Sequence, residues 1–179
     1  MSDIIIAESK HLYRIVKLKL LRRTPGVLFD ALPAGVLPRI DAIDRVIHSG
    51  GAISPGAIGG VERPWYMHPY QDDNLMVLHG VRYVDVYTPR YERPVSFTIW
   101  PDRIERDGEL VCEGPAMVTW PRGVFHRIRS DEEQGSASVN FAVHYDGFDI
   151  RTNFSIYQVD TATGAYRMIR VGHLDQPGS

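Results

Sequence analysis

Short runs of alternating apolar and polar residues, separated by proline and glycine, make up most of this chain. The 179 residues include 12 prolines and 16 glycines, and the runs between them are rich in β-branched and aromatic residues. This pattern is typical of an antiparallel β-sandwich or barrel. The main runs predicted as strands are His11–Arg22, Leu75–Val86, Val95–Trp100, Ala137–Val143, Ser155–Val159 and Ala165–Val171.

Turn chemistry and one ambiguous segment complete the predicted element list. Asp107-Gly108 predicts a hairpin, because this dipeptide favours the tight turns that join two antiparallel strands. Thr163-Gly164 predicts a turn before the last strand. Pro38–Val46 has apolar residues at helical spacing, with Pro38 suited to a first helical turn. A strand that starts at Asp44 competes for the same residues, and the sequence leaves both structures open.

Composition narrows the classes of function. A net charge of −2 gives no basic surface for nucleic acid. No apolar run approaches the roughly 20 residues that cross a bilayer, and the apolar run near Met1 is too short for a signal peptide. The only cysteine, Cys112, excludes an internal disulfide and a cysteine-based zinc cluster. We therefore expect a cytoplasmic protein of one globular domain that binds neither nucleic acid nor membrane.

Two segments carry the candidate chemistry. The first places Gly60, Tyr66, His68, Asp73 and Gly80 with gaps of five, one, four and six residues between them. Some forty residues later the chain has the hexapeptide Pro121-Arg-Gly-Val-Phe-His126. A proline and a glycine at that spacing favour a tight turn, after which the histidine enters a strand.

These segments resemble the two-part signature of the cupin superfamily, in its RmlC-like form. Tyr66 stands where the family has a histidine, and Asp73 stands where it has a glutamate. The resemblance implies an all-β fold, a cupin-like double-stranded β-helix or jelly-roll barrel with an N-terminal β extension. It implies that residues 44–179 form the barrel and that residues 1–43 pack on the barrel or on a partner subunit. A homodimer is the expected assembly.

The same resemblance predicts a site inside the barrel. Residues two apart on a strand share a face, so Tyr66 and His68 point the same way, and in a cupin Asp73 and His126 also face the interior. Two imidazoles and a carboxylate are the ligands of many non-haem iron sites. We therefore expect His68, Asp73 and His126 to hold iron, manganese, nickel or zinc, with Tyr66 completing the shell or moving a proton. The enzyme would be a dioxygenase, isomerase or lyase acting on a small molecule.

Two alternatives use the same residues differently. In a metal-free epimerase or isomerase of the sugar-modifying kind, His68 would be the base and Tyr66 the acid. In a non-catalytic small-molecule binding protein, these side chains would only give polar specificity. Gln71 or Asp72 would replace Asp73 if the strand were displaced by one residue. Trp120, beside the second segment, is expected to pack in the core or at the rim of the pocket.

Overall fold

Antiparallel strands account for most of the residues that the structure describes, which are residues 4–177 of a computed structural model. Two short helices, α1 (Ile150–Asn153) and the 3₁₀ helix Gly172–Asp175, lie near the C-terminal end. The strands are β1 (Ile5–Ser9), β2 (Tyr13–Lys17), β3 (Lys19–Thr24), β4 (Val27–Ala31), β5 (Ala42–His48), β6 (Ile53–Ser54), β7 (Trp65–Met67), β8 (Gln71–Gly80), β9 (Arg82–Tyr87), β10 (Val95–Ile99), β11 (Arg103–Arg106), β12 (Glu109–Glu113), β13 (Ala116–Trp120), β14 (Phe125–Ser130), β15 (Ser136–His144), β16 (Ile156–Val159) and β17 (Tyr166–Arg170).

The strands form two large sheets and one small one. The first large sheet has the strand order β1-β2-β13-β8-β15-β5, and the small sheet is the β3–β4 hairpin. The second large sheet has the order β12-β11-β10-β9-β14-β7-β16-β17, with β6 pairing with β14 beside this path. Neighbours within a sheet are often far apart in sequence, as expected for a jelly roll. Within residues 4–177, no helix has the length and apolar character of a membrane span.

The inner faces of the two large sheets supply the main core. Leu75 and Val77 on β8 pack in the same buried cluster as Val84 and Val86 on β9. Each pair is two residues apart on its strand, which places both members on one face. Period-2 alternation therefore builds this core, as the sequence pattern predicts.

The chain passes from one sheet to the other at Gly80. The predicted strand Leu75–Val86 is thus two strands, β8 and β9, which belong to different sheets. Gly80 has a φ of +67°, and a Cβ built on it would lie 2.1 Å from the carbonyl oxygen of Gly135. Only glycine fits this crossing, because a side chain would meet backbone and strain the left-handed conformation.

The structure also decides three other predictions about secondary structure. The Asp107-Gly108 hairpin is confirmed, since it joins β11 to β12 with positive φ at both residues. The segment near Pro38 that was open to helix or strand contains a strand, β5, which pairs with β15 over seven residue pairs. The single strand predicted over His11–Arg22 is wrong, because β2 leaves the barrel sheet where its partner β13 begins. Beyond that point β3 pairs only with β4.

Candidate functional site

Tyr66, His68, Asp73 and His126 all reach one interior cavity, as their spacing predicts. Tyr66 on β7 is the cross-strand partner of His126 on β14, and their rings lie 5.9 Å apart. His68 follows the end of β7, and its ring is 4.7 Å from that of His126. Asp73 lies near the start of β8. The side chains of His68, Asp73 and His126 are 5% exposed or less, so their interactions occur almost without water.

Asp73 is held by protein donors on both of its oxygens. Oδ1 accepts hydrogen bonds from the amides of Gln71 at 2.7 Å and Asn140 at 2.9 Å. Oδ2 accepts one from the indole N–H of Trp120 at 2.9 Å and lies 3.3 Å from Nε2 of His68. A carboxylate offers about four lone-pair positions, and three of them are used by these hydrogen bonds while the imidazole of His68 lies beside Oδ2.

His68 is held between two acceptors, which fixes its charge. Its Nδ1 donates to the backbone carbonyl of Asn153 at 2.5 Å, and its Nε2 faces the Asp73 carboxylate. A neutral imidazole has only one N–H, so this arrangement suits the imidazolium form. Burial acts to lower the pKa of His68, but the Asp73 charge outweighs it and the pKa is raised. Burial likewise opposes ionisation of Asp73, yet the positive charge on His68 holds its pKa well below the usual range.

His126 is in the opposite charge state. Its Nδ1 donates to the carbonyl of Val124 at 3.3 Å, which leaves the lone pair on Nε2. Burial, followed by the charge on His68, lowers the pKa of His126 to about 4, so the ring is neutral at pH 7. Burial raises the pKa of the neighbouring Tyr66 phenol, which is therefore a proton donor at neutral pH. The site thus combines a neutral imidazole, a phenol and a buried ion pair.

The cavity that these groups line has a volume of about 190 Å³. Arg82, His48 and Asp44 also line it, together with the aromatic ring of Phe154. A larger hollow of about 290 Å³ lies between residues 8–14 and 119–121, and none of the four predicted site residues lines it. The four predicted site residues therefore share the smaller, interior cavity.

The sequence pattern missed several members of the site. Trp120, expected only to pack, donates to Asp73, and Asn140 bridges Asp73 to Asp44 with its amide group. Neither role has a sequence signature, because each depends on strand register. Asp72 does not replace Asp73, since its carboxylate accepts from the backbone N–H of Arg122 and the hydroxyl of Tyr145.

Comparison with solved structures identifies the fold. A dTDP sugar isomerase from Desulfovibrio desulfuricans matches with a TM-score of 0.55 at 12% identity, over 75% of this chain and 80% of its own. A sugar 3,4-ketoisomerase from Thermoanaerobacterium thermosaccharolyticum, solved with TDP, matches with a TM-score of 0.52 at 11% identity, over 79% of this chain and 85% of its own. The fold is that of a cupin. The rmlC epimerase of Mycobacterium tuberculosis has a TM-score of 0.50 at 13% identity, over 75% of this chain and 64% of its own chain.

At these identities the likeness establishes the fold. No protein-family model matches this chain, and no curated protein is significantly similar to it.

The solved neighbours overturn the first functional expectation. They are sugar isomerases and an epimerase, the class of the metal-free alternative, so the prediction of a metal-dependent enzyme is wrong. His68, Asp73 and His126 do offer ligand atoms within 4.8 Å of one another. In this arrangement Asp73 accepts three hydrogen bonds from the protein and faces His68 as an ion pair.

Proposed function

We propose that this cupin is an isomerase or epimerase that moves a proton on a carbon next to a carbonyl group of a sugar. The observation that carries the proposal is the pair of buried histidines in opposite charge states beside a phenol. Groups whose environments separate their pKa values are suited to act as acid and base at one pH. Neighbours of the same fold that isomerise or epimerise sugars support the choice of substrate class.

In this mechanism the base is His126. Its Nε2 lone pair takes the proton from the carbon next to the carbonyl, and the C–H electrons form the double bond of an enolate. Negative charge appears on the former carbonyl oxygen, close to the imidazolium of His68, which stabilises it. That charge also favours the protonated form of His126, so the low pKa of the resting base rises during the reaction.

Tyr66 is the proton donor to the enolate oxygen. Its hydroxyl also interacts with the side chain of Ser54, which helps to orient it. For isomerisation, His126 returns the proton to the adjacent carbon, while the hydroxyl on the first carbon gives its proton to the Tyr66 phenolate and becomes the new carbonyl. For epimerisation, Tyr66 instead gives its proton to the carbon on the face opposite His126, the enolate returns to the ketone, and the imidazolium of His126 then re-protonates the phenolate. The sequence alone favoured His68 as the base of such an enzyme. The two acceptors around His68 favour instead an electrostatic role for it.

The test uses TDP-4-keto-6-deoxyglucose, a ligand bound in one solved neighbour, followed over time by NMR. We expect the wild type to convert this compound, or a related keto sugar, to an isomer or epimer. Tyr66→Phe and His126→Gln should each reduce kcat by roughly 10²–10⁴-fold, the usual contribution of one acid or base. His144→Gln is the matched control, because His144 contacts Gln71 and stacks on Phe148 instead of lining the cavity. Ligand binding without any product would instead make the protein a binding protein.

We also propose that the chain forms a homodimer through the β3–β4 hairpin, within the predicted extension of residues 1–43. The hairpin pairs with neither large sheet, and its leucine, valine and phenylalanine side chains are about half exposed. A second apolar surface, formed by Ile43 and Ile47, lies on the outer side of the edge strand β5. A second copy would cover both surfaces. Cys112 is buried and unpaired, which fits the cytoplasm as the proposed compartment.

A further inference from the structure

Arg82 spans the interior of the barrel from one large sheet to the other. It begins β9, yet its Nε donates to the hydroxyl of Ser136 on β15 at 2.9 Å, and its Nη2 donates to the carbonyl of Val46 on β5 at 3.1 Å. The residue is 1% exposed and lines the same cavity as His126. Its cross-strand partner Ser130 lies four residues beyond His126 on β14, about 13 Å along the strand. Arg82 therefore lies at the opposite end of the cavity from His126.

The charge on Arg82 has no acidic partner in the described part of the chain. None of the ion pairs between residues 4 and 177 includes it. Asp44 and Asp73, the carboxylates that line the cavity, are both bound by Asn140. Burial lowers the pKa of Arg82 to about 10, which still leaves the guanidinium protonated at pH 7. Buried charges in proteins are normally paired, so an unpaired one inside a ligand cavity indicates a charged ligand.

The groups hydrogen-bonded to Arg82, directly or through Ser136, add hydroxyls and no negative charge, and the nearby Asp44 carboxylate on β5 is bound by Asn140. Ser136 is hydrogen-bonded to Ser130 at 2.7 Å, and Ser130 to Nδ1 of His48 at 2.9 Å. Burial and the nearby charge of Arg82 lower the pKa of His48 to about 4, so this ring is neutral at pH 7. This end of the cavity thus has one positive charge, which is hydrogen-bonded only to neutral groups.

We propose that the Arg82 end of the cavity binds a compact anionic group of the substrate, a carboxylate or a phosphoryl group, with Arg82 as its counter-ion. The inference rests on the proposed function only in placing the reacting carbon at the other end, between Tyr66 and His126. A cavity of about 190 Å³ holds a sugar ring with one anionic substituent, and the nucleotide of a larger substrate would lie outside it. The anion is therefore attached to the sugar ring or close to it.

The test measures binding by calorimetry on the full chain, so it does not depend on turnover. The probes are glucuronate, glucose 1-phosphate, TDP and uncharged glucose. We expect glucuronate or glucose 1-phosphate to bind at least tenfold more tightly than glucose. Arg82→Gln should remove that advantage and leave glucose binding unchanged, whereas Arg129→Gln, which alters an arginine stacked on Tyr83 outside the cavity, should have no effect.

A second variant keeps Arg82 in place and covers the case in which Arg82→Gln does not fold. Ser136→Asp puts a carboxylate where Arg82 already donates, and it should raise the Tm and weaken anion binding at least tenfold. Ser136→Ala is its uncharged control. Equal affinity for glucose and both sugar anions, or anion binding that survives Ser136→Asp, would overturn the inference. TDP as the only tight probe would overturn it too, since the anion would then belong to the nucleotide. Anion binding that depends on Arg82, without turnover of keto sugars, would refute the proposed isomerase activity. The inference of an anion site at Arg82 would still hold.

Discussion

Replacing Asp73 by asparagine tests the ion pair at the centre of the site. The substitution keeps the shape of the side chain and removes the charge that faces His68 at 3.3 Å. It also turns one acceptor oxygen into an NH₂ group among donors from Trp120, Gln71 and Asn140. Breaking a buried ion pair by removing one partner costs about 3–5 kcal/mol. For a chain of this size that lowers the Tm by roughly 6–20 °C, at 2–4 °C per kcal/mol.

The pH dependence of this loss identifies its cause. The pKa of His68 is raised in the folded state, so its contribution to stability is complete below its unfolded pKa of about 6.5 and is lost as the pH rises through the folded pKa. The pKa of Asp73 is lowered, so its contribution is present above about pH 4 and is lost as the pH falls through the folded pKa. The difference between wild type and Asp73→Asn should therefore be largest between about pH 4 and 6.5.

Urea unfolding at pH 5.5, 7.5 and 9.5, followed by tryptophan fluorescence, measures this difference. Asp72→Asn is the control, because Asp72 lies next in sequence and its hydrogen bonds go to Arg122 and Tyr145. It should cost about 1 kcal/mol and leave the His68–Asp73 ion pair intact. A loss for Asp73→Asn below about 1 kcal/mol at pH 5.5 would refute the buried ion pair. An equal loss at all three pH values would show that His68 is not charged.

Three further predictions concern Gly80 at the crossing between the sheets, the indole of Trp120 and the β3–β4 hairpin. Gly80→Ala should lower the free energy of unfolding by at least about 2–3 kcal/mol, because the added Cβ would overlap a backbone carbonyl. Gly59→Ala is the control: it has a positive φ but lies in open space, so it should cost about 1 kcal/mol. Urea unfolding measures both values. Trp120→Phe should cost about 1.5–3 kcal/mol, since Asp73 loses a donor. The pKa of Asp73 should then be less depressed, so acid unfolding should begin at a higher pH. Phe29→Asp, on the exposed hairpin, should convert a dimer into a monomer by light scattering, and a wild-type monomer at tens of micromolar would contradict the proposed interface.

The resemblance to the cupin motifs was enough to predict that four side chains lie together. Tyr66 and His126 lie on strands that pair directly, His68 follows two residues after Tyr66, and Asp73 lies on β8 in the other large sheet. Alternation along a strand is a local property, so it can be read from sequence before any sheet order is known. Alternation alone predicted an antiparallel sandwich or barrel, whereas the jelly-roll fold and the inward-facing site residues were predicted from the resemblance to cupins.

The chemical use of the site was not predictable in the same way. Two histidines and one aspartate are the right residues for a metal and equally for proton transfer. The difference lies in which donors reach Asp73, and these come from Gln71, Trp120 and Asn140 on three different strands. Strand register decides such contacts, and register between distant segments has no local signature. The position of Arg82 in the cavity was not predictable either, because an arginine in a strand ordinarily faces solvent.

The burial of His68 and His126 predicts where a hydrogen isotope on the substrate ends up in the product. His68 and His126 are only 4% and 3% exposed, and the groups that touch them are protein side chains and carbonyls. A proton that His126 removes from a substrate therefore has few routes to solvent before it is returned. We expect the proton to travel with the same sugar molecule from one carbon position to the other. Product formed in heavy water would then retain the substrate's own hydrogen, and a label placed on that carbon would report transfer within a single molecule.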